Sequence, residues 1–303
     1  MITTHPSQPK LDHLHRRVER IVAATPVCDV HTHLYDPAFK RLLLWGIDEL
    51  LVYHYLVAEG LRHTDLPCDR FWELPKSAQA DLIWDSLFVK HSPVSEACRG
   101  VLTTLNRLGL DVWKRDLESV RRWFAKQTPE AYLERVLETA RVGKIHMTNS
   151  PFDDLERPLW EKGFRRDERF VAALRLDPLL LEWPAAAAKL VQWGYKVSET
   201  VSRRTVDQVK RFLGDWTRRM NARYLMVSLP PDFAFPAKSE CAELLEQAIL
   251  PFCREEGLAM ALMLGVRRGV NPALRMAGDG VGVSDLQALR NLCSGYPDRK
   301  SVV

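Results

Sequence analysis

Apolar positions change their spacing twice along the chain, and those changes divide it. Over 11–23, Leu14, Val18, Ile21 and Val22 recur at helical intervals and predict an amphipathic helix. "TPVCDVHTHL" then breaks that period. Val27, Cys28 and Val30 are small or β-branched in a short run, which predicts a buried strand near 27–33. From about 40 to 142 helical spacing returns, rich in Leu, Trp and charge. Its last helix carries clear punctuation: Thr128 as cap, Pro129 at the first position, Gly143 after the last periodic residue. Beyond 143, short apolar runs near 144–149, 171–177, 223–229 and 258–265 predict strands. Helices around 185–195, 203–222, 238–250 and 284–294 alternate with them, and "DRKSVV" reads as the opening of another strand.

Strands alternating with helices of this length predict βαβ units on a parallel sheet. Each strand ends in polar or Pro-containing residues, as on the rim of a barrel where sites are built. The fold class expected is therefore α/β, TIM-barrel-like (β/α)8, with a helical insert after the first strand. Residues 1–40 would hold the leading helix and strand 1, 41–142 the insert, and 143–303 strands 2 to about 6. That count falls short of eight, so the barrel is expected to be incomplete at its C-terminus, with an exposed edge open to association.

The composition, 46% apolar and 27% charged over 303 residues, is that of a globular protein with a full core. Net charge is +4 from 43 basic and 39 acidic residues, and no basic run alternates with aromatics. The densest basic stretch, "SETVSRRTVDQVKRFLGDWTRRM", spaces apolar residues helically and reads as a solvated helix face, so no nucleic-acid partner is expected. Six scattered cysteines, with no C-x-x-C pair, predict reduced, mostly buried thiols. The polar N-terminus lacks an apolar signal core, and no apolar run approaches the ~20 residues of a membrane span. These features predict a soluble, cytoplasmic protein with no membrane partner.

His31 and His33 are the first candidate chemistry. At i and i+2 of a strand they would share a face and converge on one point, as a divalent-metal site requires. H-x-H alone is also common on surface loops, and both readings stand at this point.

"CDVHTHL" at the head of such a chain resembles the first-strand signature of the amidohydrolase superfamily of metal-dependent hydrolase folds. Within it, the chain resembles the uronate isomerase (glucuronate isomerase) family over about residues 20–303. "DELLVYHYLVAEGL" is similar to that family's His-Tyr segment, here His54-Tyr55. "HMTNSPFDDLER" is similar to its second-strand turn, with Asn149 where Asp is usual. "ALRLDP" places Arg175 and Asp177, and "MALMLGVRRGVNPALRMAGDGVG" places Arg268 and Asn271, with Arg267 leaving the register open by one.

The resemblance implies an aldose–ketose isomerase acting on a small sugar acid, D-glucuronate or D-galacturonate, through an enediol. It implies one divalent ion, zinc foremost, on His31 and His33. Tyr55 would relay the proton, with His54 polarising an oxygen beside it. Arg175 would hold the carboxylate, assisted by Arg268, Asn149 and Asp177, and a homo-oligomer is allowed. Alternatives stand beside these roles: Arg175 in a structural ion pair with Asp177, and Tyr55 as an aromatic packed on the insert. Fourth- and fifth-strand positions that carry Asp-His and His in the family read "VSLPPDF" and Met263 here. No histidine follows His146, and the family's late Asp ligand is missing, which suggests a longer natural chain or a truncated product. Two further functions are weighed: a hydrolase or lyase of the same superfamily, with Asp29 or Asp36 as base, and a truncated non-catalytic homologue.

Overall fold

Five parallel strands lie side by side in chain order: β1 (Val27–Thr32), β2 (Val142–Asn149), β3 (Phe170–Arg175), β4 (Tyr224–Leu229) and β5 (Ala259–Leu264). A short strand, Ser301–Val302, pairs in parallel with β5. This computed structural model describes residues 8–32, 34–297 and 301–302. Helices connect the strands after β2, so each return is a parallel crossover, as the alternation of periods predicts. The sheet curls: Tyr224 on β4 reaches across the concave face to donate its hydroxyl to Val30 O of β1, 2.6 Å away. The architecture is α/β, built on a curled parallel sheet with the character of a half-barrel.

Strand parity assigns the two faces. Ile145, Met147, Phe170, Ala172, Leu174, Leu225 and Val227 point outward into a core shared with Trp183, Leu190, Phe212 and Trp216 of the covering helices. The helix Arg203–Met220 starts at Ser202, whose hydroxyl accepts from Thr205 N, and ends at Asn221 in the left-handed conformation. Its apolar stripe, Val206, Val209, Phe212, Leu213 and Trp216, is buried, so the basic residues do form the outer face. The concave side is a groove of about 480 Å³ lined by His31, His146, Tyr224, Met226 and Met263 among others.

Between β1 and β2 the chain folds into short helices around a second core that includes Leu51, Phe71, Ile83, Phe88, Leu105 and Phe124. Ala277, from the loop after β5, joins that core. Trp72 Nε1 donates to Ala273 O of the same loop at 2.9 Å, and Arg275 lies 4.6 Å over the Trp72 ring. Gly278 makes the loop possible, since a Cβ there would stand 1.9 Å from Asn271 O.

Several expectations need correction. β1 is not buried: Val27 is 44% and Val30 58% exposed, because no described element covers that edge. The leading helix forms over Gln8–Ala24, yet its apolar stripe, Leu14, Val18, Ile21 and Val22, lies in solvent. Only Cys98 and Cys253 of the six free cysteines are buried, and Cys28 is exposed on β1. The helix ending before Gly143 closes instead on Arg141 at φ 53°, and β2 begins at once. The helix expected over 238–250 runs on to Glu256, because a π-helical turn over Leu245–Ile249 absorbs the missing N–H of Pro251. The glycine-rich loop after β5 contains an antiparallel ribbon, Val266–Arg267 with Gly280–Val281, too short to show a period in sequence. Among the described residues no helix is long and apolar enough to cross a membrane.

Candidate active site

β3 delivers Arg175 to the strand-end rim, and Asp177 opens the helix Asp177–Leu181 two residues later. The two form a bidentate pair: Nε donates to Oδ2 at 2.8 Å and Nη2 to Oδ1 at 3.0 Å. Nη2 also donates to Ser228 Oγ of β4 at 3.3 Å. Among the described residues nothing accepts from Nη1, and the side chain keeps 28% of its surface exposed. Burial works against the Arg175 cation, but Asp177, with Tyr35 and Glu156 nearby, holds its pKa above the usual value.

Arg268 joins this cluster from the loop after β5. Its Nη2 donates to Asp177 Oδ1 at 3.3 Å and its Nη1 to Asp279 Oδ2 at 3.1 Å. Asp279 is held in turn by Gly269 N–H at 2.7 Å. Arg267 sits in the ribbon, and Arg268 is the one that reaches Asp177. Asn271 caps the turn Pro272–Gly278 by accepting from Ala273 N.

His54 belongs to the same group. It begins the helix His54–Gly60, its ring 4.1 Å from that of Tyr55 and 4.2 Å from that of Tyr53. Burial lowers its pKa, and the Asp279 carboxylate pulls the other way. Hydrogen bonds thus link Arg175 through Asp177 and Arg268 to Asp279, whose charge acts on His54. Tyr55 follows on an exposed position, 60% accessible. Asp279 has no motif of its own in the sequence; its one signal is its place in the same loop, eleven residues after Arg268.

Asn149 sits at the neighbouring strand end but is fully buried, and its amide nitrogen donates to Glu156 Oε2 at 2.7 Å. Glu156 likewise went unnoticed in sequence, being one of several acids in "SPFDDLER". His31 is exposed near the end of β1, its backbone N–H donating to Asp29 Oδ1 at 3.1 Å. His33 lies outside the described residues. Among the described residues no three His, Cys, Asp or Glu side chains gather as a metal centre. His146 spends Nδ1 within 3.3 Å of Asp29 O and so braces β1.

The two aspartates weighed as hydrolytic bases are otherwise engaged. Asp29 accepts from His31 N–H, and the buried Asp36 accepts from Ala38 N and Asp167 N.

A curled parallel sheet with a paired Arg–carboxylate cluster at its strand ends, overhung by a helical lobe, defines an α/β enzyme of the barrel-forming type. No family model and no curated protein matches the chain. Among solved structures, a uronate isomerase from Bacillus halodurans is 47% identical with a TM-score of 0.94 over 98% of this chain and 70% of that one. A glucuronate isomerase from Caulobacter crescentus (15% identity, TM-score 0.68) is covered over 69% of its length, matching 95% of this chain. A uronate isomerase from Thermotoga maritima (12%, TM-score 0.69) is covered over 71%, matching 94% of this chain. The last two share the fold. The chain belongs to the uronate isomerase family.

Proposed function

We propose that this chain interconverts the aldose and ketose forms of a uronate, D-glucuronate with D-fructuronate or D-galacturonate with D-tagaturonate. A proton moves between C2 and C1 through an enediol. The observation carrying this reading is the Arg175–Asp177–Arg268–Asp279 chain that ends beside His54. Arg175, fixed on two edges by Asp177 and Ser228, offers Nη1 to the substrate carboxylate. Arg268, half exposed, offers a second donor to the carboxylate or a neighbouring hydroxyl. Asp177 aims both guanidinium groups. Tyr55 moves the proton, and His54, kept neutral by burial, donates to the developing enediolate oxygen. Asn149 serves the sugar from behind, by fixing the β2 end through Glu156.

His31 and His33 are our proposed ligands for one divalent ion, zinc first, which when bound would polarise the substrate carbonyl. The half-barrel is read as part of a (β/α)8 barrel, with 1–40 and 143–303 supplying sheet and helices and 41–142 the lobe over the strand ends. The protein is read as cytoplasmic, with self-association through the β1 edge allowed.

Proton NMR of D-glucuronate in deuterated water with zinc-supplemented protein tests the reaction. Ketose carrying solvent deuterium at C1 is expected, and Tyr55→Phe should slow its appearance by about 10²-fold or more. An undiminished Tyr55→Phe rate would remove Tyr55 from the proton path, and ketose without deuterium would show that the hydrogen passes from C2 to C1 without exchange with solvent.

A further inference from the structure

Beside the β3 end that carries Arg175 lies a buried carboxyl: Leu174 pairs in register with Asn149, whose amide binds Glu156. Glu156, 3% exposed, follows β2 by seven residues. Its Oε2 accepts from Asn149 Nδ2 at 2.7 Å and Ser150 N–H at 3.2 Å. Its Oε1 lies 3.4 Å from the Tyr35 hydroxyl, which is also 3.2 Å from Thr148 O. One hydroxyl proton cannot serve both acceptors, so Tyr35 must choose. If Glu156 is ionised, Tyr35 can donate to it. If Glu156 is protonated, its own O–H donates to Tyr35 and Tyr35 turns to Thr148 O. Among the described residues, Tyr35 from the loop after β1, Asp153 from its own loop and Arg175 from β3 are charged or titratable groups that act on this carboxyl. Burial, with Asp153 adding to it, pushes Glu156 up to about 7, against the pull of Asn149 and Ser150.

We propose that Glu156 is a positioning residue: its proton sets both the charge near Arg175 and the direction of the Tyr35 hydroxyl, and so sets how strongly Arg175 takes an anionic substrate. This rests on Arg175 as the carboxylate-holding group. With Glu156 neutral, the carboxylate that answers Arg175 is Asp177, which Arg268 shares. With Glu156 ionised, a second negative charge stands near the guanidinium and opposes the incoming carboxylate. Conversely, a bound carboxylate drives a proton onto Glu156.

The coupling is measurable without any ligand. In protein carrying ¹³C-labelled glutamate carboxyls, the resonance missing from Glu156→Gln identifies Glu156, and its shift is followed against pH. A midpoint near neutrality is expected, rising by about half a unit in Arg175→Gln and staying near the wild-type value in Arg175→Lys. A midpoint in the ordinary glutamate range, or one indifferent to Arg175→Gln, overturns the proposal. Calorimetry with D-gluconate, a sugar acid with no carbonyl to isomerise, then reads the consequence. Binding should weaken by roughly fivefold from about pH 6 to about pH 8.5 in the wild type and stay level in Glu156→Gln. Equal pH dependence in the two proteins sinks the positioning role. Gluconate binding that survives Arg175→Gln unchanged instead removes Arg175 as the carboxylate holder, a separate failure.

Discussion

Two ends of one rim are built in opposite ways. At β3, Arg175 is tied to Asp177 and Ser228, Asp177 to Arg268, and Arg268 to Asp279, with buried Leu174 and Leu176 beneath them. At β1, His31 is exposed on an edge strand whose Val27 and Val30 also face solvent. The first region fixes its functional groups through partners within this chain. The second places its histidine by backbone pairing, the His146 brace and one long reach from Tyr224. Geometry around Arg175 is thus preorganised by side-chain partners, while that of β1 rests on backbone pairing and these two braces.

That contrast can be broken by substitution. Phe71→Ala, emptying a fully buried site in the insert, should cost about 3–5 kcal/mol in urea unfolding. Val30→Ala on β1, 58% exposed, should stay within about 0.5 kcal/mol. A Val30→Ala penalty as large as that of Phe71→Ala would show that the edge is packed after all.

Stability against pH gives the next effect. Glu156 is raised in the fold to about 7 from 4.5, so the unfolded chain releases its proton first. Its stabilising contribution is full below about pH 4.5 and is lost as pH rises through 7, by up to roughly 3 kcal/mol. Glu156→Gln should flatten that decline in chemical denaturation series. His54 acts with the opposite sign. Its pKa is lowered in the fold, so the unfolded chain binds the proton more readily and stability falls as pH drops through 6.5. His54→Gln should remove that acid-side loss.

Asp177→Asn should cost about 1–3 kcal/mol, since it strips Arg175 and Arg268 of a shared carboxylate that is itself 13% exposed. His31→Ala should leave stability within about 0.5 kcal/mol, the smallest change of the set. A large loss there would show that the His31 side chain supports β1.

The same contrast explains what the sequence disclosed. β3, β4 and β5 are buried on at least one face and read as short apolar runs because parallel strands under helices must be. The strand-end pairing of Arg175 with Asp177 was legible because Arg175 closes such a run and Asp177 stands two residues on. Arg268 was legible only to within a residue, since the ribbon that orients it is two residues long on each side. Asp279 and Glu156 were illegible: each gains meaning from a partner far along the chain or across a loop, and neither has a spacing that announces it. β1 looked buried because its residues are those of a core strand, and the structure leaves it uncovered within the described residues.

The central claim is that Arg175, braced by Asp177 and Arg268, holds a uronate carboxylate for isomerisation. Steady-state ketose formation from D-glucuronate, in zinc-supplemented wild type and Arg175→Ala, addresses it directly. The account predicts turnover by the wild type and a loss in kcat/KM of about 10²-fold or more in the variant, carried mainly by KM. Turnover that Arg175→Ala leaves unchanged, or no ketose from the wild type with either glucuronate or galacturonate, would contradict it.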